Sequence, residues 1–252
     1  NPDIVIHAAA LKHVDTAEKQ PSQAILVNVV GSYNVIQACR TANVPITVGI
    51  STDKACSPSN IYGHSKSFME KLFLEAYDKK NKFVCCRFGN VAWSNGSVIP
   101  FWLSQKEKNK KLLLTDVKMN RLMFSEEESS ELIKKCIDDS EKFDESFVLS
   151  KLMKTVNMLK LAKLISKDID IVGLRPGEKL NEDLISEKEL PYSTLKGEHV
   201  YLRSLMNNDL ESRLPFKLSS ENANEMSESE MKDILKIARD NSTSTLINQM
   251  NY

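Results

Sequence analysis

Apolar residues along the chain fall into short unbroken runs joined by stretches of helical spacing. The runs are Ile4-Val5-Ile6 (followed by His7-Ala8-Ala9-Ala10), Ile46-Thr47-Val48-Gly49-Ile50-Ser51, and Phe83-Val84-Cys85-Cys86-Arg87-Phe88. Unbroken runs of this length predict strands buried on both faces. Between the first two, Ile25, Val29, Val30, Val35, Ile36 and Cys39 recur at three and four over 22–41. Between the second and third, Ile61, Phe68 and Leu72 lie beside a row of Met69, Phe73 and Ala76, which predicts a helix from Asn60 to Tyr77. Strand–helix–strand–helix–strand in this rhythm is a parallel sheet with right-handed crossovers, so the class is α/β.

After Gly89 the rhythm changes. The pattern predicts a helix over 98–106, a solvated lysine-rich connection to Lys111, and an apolar Leu112-Leu113-Leu114. Ser125 and Glu128 form a capping box that opens a helix to Asp139. Phe147-Val148-Leu149 reads as a strand returning to the sheet, 155–166 as a helix and 169–172 as a further strand. The Ser/Asn/Glu-rich tail, 218–252, carries one helix over 227–239, opened by a second box from Ser227 to Glu230.

The 252 residues are 41% hydrophobic and 27% charged, enough to bury a full core. Thirty-four basic residues balance 34 acidic ones, which gives no electrostatic footprint for nucleic acid or an anionic membrane. No apolar run approaches the roughly 18 residues needed to span a bilayer. The cysteines (Cys39, Cys56, Cys85, Cys86 and Cys136) are odd in number and show no CxxC pair, so they read as reduced structural thiols and the expected compartment is the cytoplasm. The histidines are scattered, and no metal site is expected.

Chemistry concentrates in two places. Tyr62-Gly63-His64-Ser65-Lys66 is a YxxxK at the start of a predicted helix. Four residues make one turn, so phenol and ammonium share a face. A free tyrosine, with a pKa of about 10, is a weak base at neutral pH, and a fixed cation beside it is expected to favour the phenolate. Ser51-Thr52-Asp53-Lys54 stands at the C-terminal end of a buried parallel strand, where open α/β sheets place their ligands. Hydroxyl, carboxylate and amine in succession also suit a solvated turn.

These residues resemble the extended short-chain dehydrogenase/reductase group and, within it, the inverting UDP-N-acetylglucosamine 4,6-dehydratases of surface-polysaccharide and flagellar-sugar biosynthesis. The matching pieces are Ile6-His7-Ala8-Ala9-Ala10-Leu11-Lys12-His13-Val14, Asn28-Val29-Val30-Gly31, Ser51-Thr52-Asp53-Lys54-Ala55 and Tyr62-Gly63-His64-Ser65-Lys66. They continue with Arg87-Phe88-Gly89-Asn90-Val91, Gly96-Ser97-Val98-Ile99-Pro100 and Gly173-Leu174-Arg175-Pro176-Gly177-Glu178-Lys179-Leu180. The dTDP-glucose dehydratases carry Asp-Glu where this chain has Asp53-Lys54, and the membrane-anchored relatives usually carry Met in place of Tyr62. The resemblance fades after about residue 185.

The resemblance implies a Rossmann-like NAD(P)-binding unit over 1–95 and a smaller α+β unit for the UDP-sugar over 96–252. Tyr62, assisted by Lys66 and Thr52, would take the 4-hydroxyl proton. Lys54 would deprotonate carbon 5 and Asp53 protonate the departing 6-hydroxyl, a division of roles that stays open. Ala8, Ala9 and Ala10 would let the cofactor ribose approach, with Tyr62 and Lys66 beside it. Asn90, Arg121, Arg175 and Glu178 would hold the uridine diphosphate; the role of Asn181, where many relatives have His, stays open. The implied cofactor is NADP, with NAD possible, and the implied assembly a homo-oligomer at full length, without nucleic acid or membrane. No GxxGxxG loop occurs in the chain, so roughly 80 residues of sheet, one or two βαβ units, are expected upstream of Asn1. The alternatives are a nucleotide-sugar 4- or 5-epimerase and a truncated, non-catalytic UDP-sugar-binding relic.

Overall fold

The computed structural model of the chain describes residues 2–206 and 208–241. β1 (Ile4–His7) leads through α1 (Val14–Lys19), α2 (Pro21–Ala24) and a π-helical segment (Ile25–Val30) into α3 (Gly31–Thr41). β2 (Ile46–Thr52) ends in a 3-10 turn (Asp53–Ala55), followed by α4 (Ile61–Ala76), β3 (Lys82–Phe88) and the short β4 (Asn90–Val91). Then come α5 (Val98–Glu107), β5 (Leu112–Leu114), β6 (Asn120–Phe124), α6 (Glu126–Ser140), β7 (Phe147–Lys151), β8 (Lys154–Asn157), α7 (Met158–Ile165) and β9 (Ile169–Ile171). The C-terminal part holds β10 (Asp183–Ile185), a 3-10 helix (Glu187–Tyr192), β11 (Ser193–Lys196), β12 (His199–Arg203), β13 (Leu218–Ser219) and α8 (Glu228–Asn241). Residues 242–252 of the tail lie outside the described residues.

The main sheet has the order β1-β2-β3-β7-β12-β11. Its first four strands are parallel, with Ile6 beside Val48, Val48 beside Val84 and Cys85 beside Val148. β12 and β11 add on antiparallel. This is a Rossmann-like α/β sheet. Neighbouring strand residues point to opposite faces. Cys85 faces Glu70 and Lys66 on α4, while Cys86 neighbours Cys136 on α6, whose Sγ donates to the Cys85 carbonyl at 3.5 Å. The two helices therefore cover opposite faces of β3. All five cysteines are buried free thiols.

Phe73 of α4 lies on β2 because Gly49 has no side chain: a Cβ there would come within 2.9 Å of the ring. The ring stacks on His7 and meets Phe83 edge-on, at centroid distances of 6.1 and 5.9 Å. A second apolar cluster, around Trp102, Met123, Val156, Leu161 and Ile234, ties α5, β6, β8, α7 and α8 together.

Four differences from the apolar pattern have physical causes. α1 turns only Ala17 fully inward, too little to register as a periodic stripe. Between residues 22 and 41 the buried stripe is Ala24, Asn28, Ser32, Ile36 and Cys39, whereas Ile25 and Val30 are exposed. The π-helical turn seats the polar Asn28 and Ser32 inward, which an apolar count misses. Helix α7 starts only at Met158 because Asn157 caps it, its Oδ1 accepting from Lys160 N at 3.1 Å. The β-branched Thr155 and Val156 pair instead with Leu122 and Arg121. Finally, 193–203 rejoins the main sheet as β11 and β12, beside the β7 strand that the apolar run at 147–149 predicts. No helix among the described residues is long and apolar enough to cross a membrane.

Candidate active site

β2 delivers Thr52 to the C-terminal edge of the parallel sheet, and the chain tightens there into the 3-10 turn of Asp53–Ala55. Thr52 Oγ1 donates to Asp53 Oδ1 at 2.9 Å, and Lys54 Nζ donates to the same oxygen at 2.9 Å. Asp53 is fully buried, and its second oxygen, Oδ2, has no hydrogen-bond partner. A buried polar atom without a partner costs free energy, so this strand end is a candidate site.

Helix α4 is pinned directly above this turn. Asn60 caps it, its Oδ1 accepting from Gly63 N at 2.8 Å. Gly63 has no room for a side chain: a Cβ would lie 2.2 Å from the Lys54 carbonyl oxygen. On an unhindered helix Gly→Ala gains about 1 kcal/mol. Here Gly63→Ala is expected to destabilise the protein by about 1–3 kcal/mol in urea unfolding, because the overlap with backbone outweighs that gain. An unchanged or raised midpoint would show that the turn gives way freely.

Tyr62 is nearly buried, against Ala17 and Ala24, with its hydroxyl at the turn. Burial raises its pKa, the Asp53 charge raises it further, and a hydrogen bond with Thr52 pulls it down. The neighbours that shift Tyr62 are thus Asp53 and Thr52. Lys66 shares the buried face of α4, but its ammonium lies on Met69 Sδ at 3.1 Å of the same helix. Burial lowers the Lys66 pKa to about 8 against the opposing pull of Cys85 and Glu70.

The exit of β1 completes this side. Ala8 and Ala9 are exposed and Ala10 half-buried, so small side chains border the turn. Asn28, in the π-helical segment, accepts from Leu11 N at 2.7 Å and donates to Leu11 O at 3.0 Å and Ser65 Oγ at 2.8 Å. One buried amide thus fixes the β1 exit to α4.

The residues expected to hold a diphosphate are more dispersed. Asn90 is half-buried on β4. Arg121 is buried, and its guanidinium donates to the carbonyls of Asn120, Leu180 and Lys179 at 2.8, 3.0 and 2.9 Å. It clamps the 179–180 backbone. Arg175 and Glu178 bond each other, with Nη2 to Oε1 at 2.8 Å, on an exposed loop. That loop is tied to the site, because Asn60 Nδ2 donates to Gly177 O at 2.9 Å and Lys179 Nζ to Ser57 O at 2.5 Å. Asn181 accepts from Asn120 Nδ2 at 3.2 Å and Ser220 Oγ at 3.3 Å.

Two carboxyls escape sequence reasoning. Glu189 accepts from Cys56 Sγ at 3.1 Å and from Arg87 Nη2 at 2.8 Å, while Arg87 also binds Glu70 through two bonds of 2.9 and 2.7 Å. This network holds the far side of the turn, because Cys56 N closes it on Asp53 O at 3.0 Å. Despite partial burial, the Arg87 charge and hydrogen bonds hold the Glu189 carboxyl down at about 2. The other is Glu182, only 2% exposed, beside the Asp53–Lys54 turn. Nothing in local spacing distinguishes either from a surface acid.

Comparison with known proteins agrees with this geometry. The family described as "Polysaccharide biosynthesis protein" matches residues 1–203. A UDP-N-acetylglucosamine 4,6-dehydratase (inverting) of Campylobacter jejuni is 37% identical over 194 residues, 74% of this chain and 57% of that protein. A UDP-glucose 4-epimerase of Rickettsia bellii is 38% identical over 198 residues, 75% of this chain and 57% of that protein. The chain therefore spans a little over half the length of these relatives. The X-ray structure of Pen from Bacillus thuringiensis superposes with a TM-score of 0.84 at 28% identity, covering 96% of this chain and 76% of that one. A Rossmann-like sheet, a Thr-Asp-Lys turn under a YxxxK helix and a profile match across four-fifths of the sequence lead to one assignment: the chain belongs to the polysaccharide biosynthesis protein family, within the extended short-chain dehydrogenase/reductases.

Proposed function

We propose that the chain carries the catalytic turn and the substrate side of a UDP-N-acetylglucosamine 4,6-dehydratase that inverts carbon 5 and recycles a nicotinamide cofactor. The observation that carries this reading is the ion pair of the buried Asp53 with the half-buried Lys54, at 2.9 Å, lying beside the Tyr62 hydroxyl. Moving a hydride at carbon 4 needs only a base there, whereas eliminating water across carbons 5 and 6 needs a further base and acid. The pair supplies both.

Open, small residues at Ala8 and Ala9 beside Tyr62 and the buried Lys66 fit a nicotinamide ribose. Structures that share the fold include a MoeE5 complex with UDP-glucose and NAD and a dTDP-4-dehydrorhamnose reductase complex with NADP. A nicotinamide held there would supply a hydride acceptor for carbon 4 and a hydride donor for carbon 6. NADP is the form proposed here.

The chain's own residues handle protons. Tyr62 takes the 4-hydroxyl proton, with Thr52 bonded to its oxygen and Lys66 one turn along. The ketone acidifies carbon 5, whose proton passes to Lys54. Asp53 protonates the departing 6-hydroxyl. Asn90, Arg175 and Glu178 are proposed to hold the uridine diphosphate, with Arg121 keeping the loop of the last two in place. The protein would act as a homo-oligomer.

In the full gene product that carries these residues, Lys54→Ala is expected to slow elimination by about 10²–10⁴-fold while carbon 4 is still oxidised. Reduced nicotinamide would then build up and be visible by absorbance. Wild-type turnover by the variant would remove Lys54 from the mechanism and favour a 4-epimerase, a reading that the Rickettsia relatives keep open.

A further inference from the structure

Among the described residues, Asn43, Ser57, Asn109 and Trp93 take the left-handed backbone region without being glycine. Asparagine visits that region readily and serine is small, whereas a bulky side chain is an outlier there, held only by its surroundings. Trp93 has φ +67° and stands two residues after β4, the strand that carries Asn90. Its surroundings come from the tail of the chain. The indole Nε1 donates to the Ile234 carbonyl of α8 at 2.7 Å, and the ring packs on the apolar cluster that holds Met231 and Ile234.

Helix α8 is itself anchored elsewhere. Thr155 N donates to Asn224 O at 2.9 Å and Met226 N to Thr155 O at 2.8 Å, so the chain enters α8 fixed to β8. Lys154 pairs with Glu230 in the first turn of the helix. Beyond Trp93 the chain meets the exit of β1. The Asn95 carbonyl accepts from Lys12 Nζ, and Gly96, at φ +71°, lies so close to His13 that a Cβ would come within 2.8 Å of the ring. Residues 93–97 thus bridge the strand of Asn90, the exit of β1 and α8.

We propose that Trp93 is a positioning residue for the UDP-sugar: fastened to α8, it holds residues 94–97 between the β1 exit and the start of α5, and so sets the substrate side of the site. The proposal rests on the reading of β4 and the loop after it as the side that holds the uridine diphosphate. The polar atom of the indole is spent on α8, so Trp93 acts through the backbone it holds. Without that bond the backbone at 93 is free to leave the left-handed region, and 94–97 move with it. The loss then falls on binding, because Tyr62, Asp53 and Lys54 are positioned separately by α4 and the 3-10 turn.

The test uses the full gene product, with UDP as the probe in titration calorimetry and UDP-N-acetylglucosamine in steady-state kinetics. Trp93→Phe keeps a ring and loses the N–H. It should weaken UDP binding and raise KM by about tenfold, the worth of one good hydrogen bond, with kcat within about threefold of the parent. Trp93→Gly accepts the left-handed backbone without strain, yet should bind UDP no better than Trp93→Phe, because what is lost is the hold on the loop. Ile234→Ala, on α8, should also weaken UDP binding, and the double variant with Trp93→Phe should lose less than the two single losses combined. Additive losses would overturn the route through α8. A Trp93→Phe protein that melts lower but binds UDP as the parent does would reveal a packing role and overturn the proposal, as would a fall in kcat at unchanged KM. If the parent binds UDP but releases no water from the sugar, the dehydratase reading fails and the UDP titration still decides the role of Trp93. A parent that binds no UDP overturns both.

Discussion

Tyr62→Phe in the full gene product is expected to abolish oxidation at carbon 4, lowering turnover by about 10²–10⁴-fold or more. The phenol is the one group of α4 that stands nearly buried with its hydroxyl bonded to Thr52 and under the charge of Asp53. Burial and Asp53 both disfavour the phenolate, and the hydrogen bond with Thr52 favours it. The substitution removes the acceptor without removing the ring that packs on Ala17 and Ala24. Loss of one hydrogen bond should cost only about 1 kcal/mol of stability. The variant should therefore melt close to the parent yet leave the nicotinamide oxidised when substrate is added. Reduced cofactor in Tyr62→Phe would move the base elsewhere.

The largest stability effect is expected at Arg87. Its guanidinium is 2% exposed and bonds Glu70, Glu189 and the Leu184 carbonyl. Arg87→Met keeps much of the volume but strands the Glu70 carboxylate, itself 3% exposed. Breaking a buried pair on one side costs about 3–5 kcal/mol. At roughly 2–4 °C per kcal/mol for a protein of this size, the melting temperature should fall by about 6–20 °C. Removing both partners, as Arg87→Met with Glu70→Leu, should recover part of the loss. The pH dependence has a fixed sign: Glu189 is held down at about 2, so its contribution is full above the unfolded carboxyl value and is lost as pH falls toward 2. A loss below about 1 kcal/mol for Arg87→Met would show that the network is solvated.

How much of this was legible in the sequence differs between elements. β1, β2, β3 and α4 are long enough, and apolar enough, to announce themselves. β11 and β12 are not. Ser193 and Thr194 are buried polar residues, so their strand reads as a loop until β12 supplies its ladder. The stripe of Ala24, Asn28 and Ser32 is small and polar because it faces the β1 exit and Ser65, a tertiary fact without local signature. At the site, the spacing of Tyr62 and Lys66 and the strand-end position of Thr52, Asp53 and Lys54 are local and were readable. What Lys66 touches, what Arg121 clamps 58 and 59 residues away, and where Glu182 and Glu189 lie depend on the folded chain. Arg121 is the instructive case. An arginine in a substrate-like motif suggests a phosphate, but its donors go to the backbone carbonyls of Asn120, Leu180 and Lys179.

The central claim is that the Asp53–Lys54 pair completes an elimination. It is tested most directly by the mass of the product formed from UDP-N-acetylglucosamine by the full gene product in heavy water, without added reductant. The expected product has lost one water and carries one deuterium at carbon 5. A product of unchanged composition, with only the configuration at carbon 4 altered, would contradict the account and make the protein an epimerase.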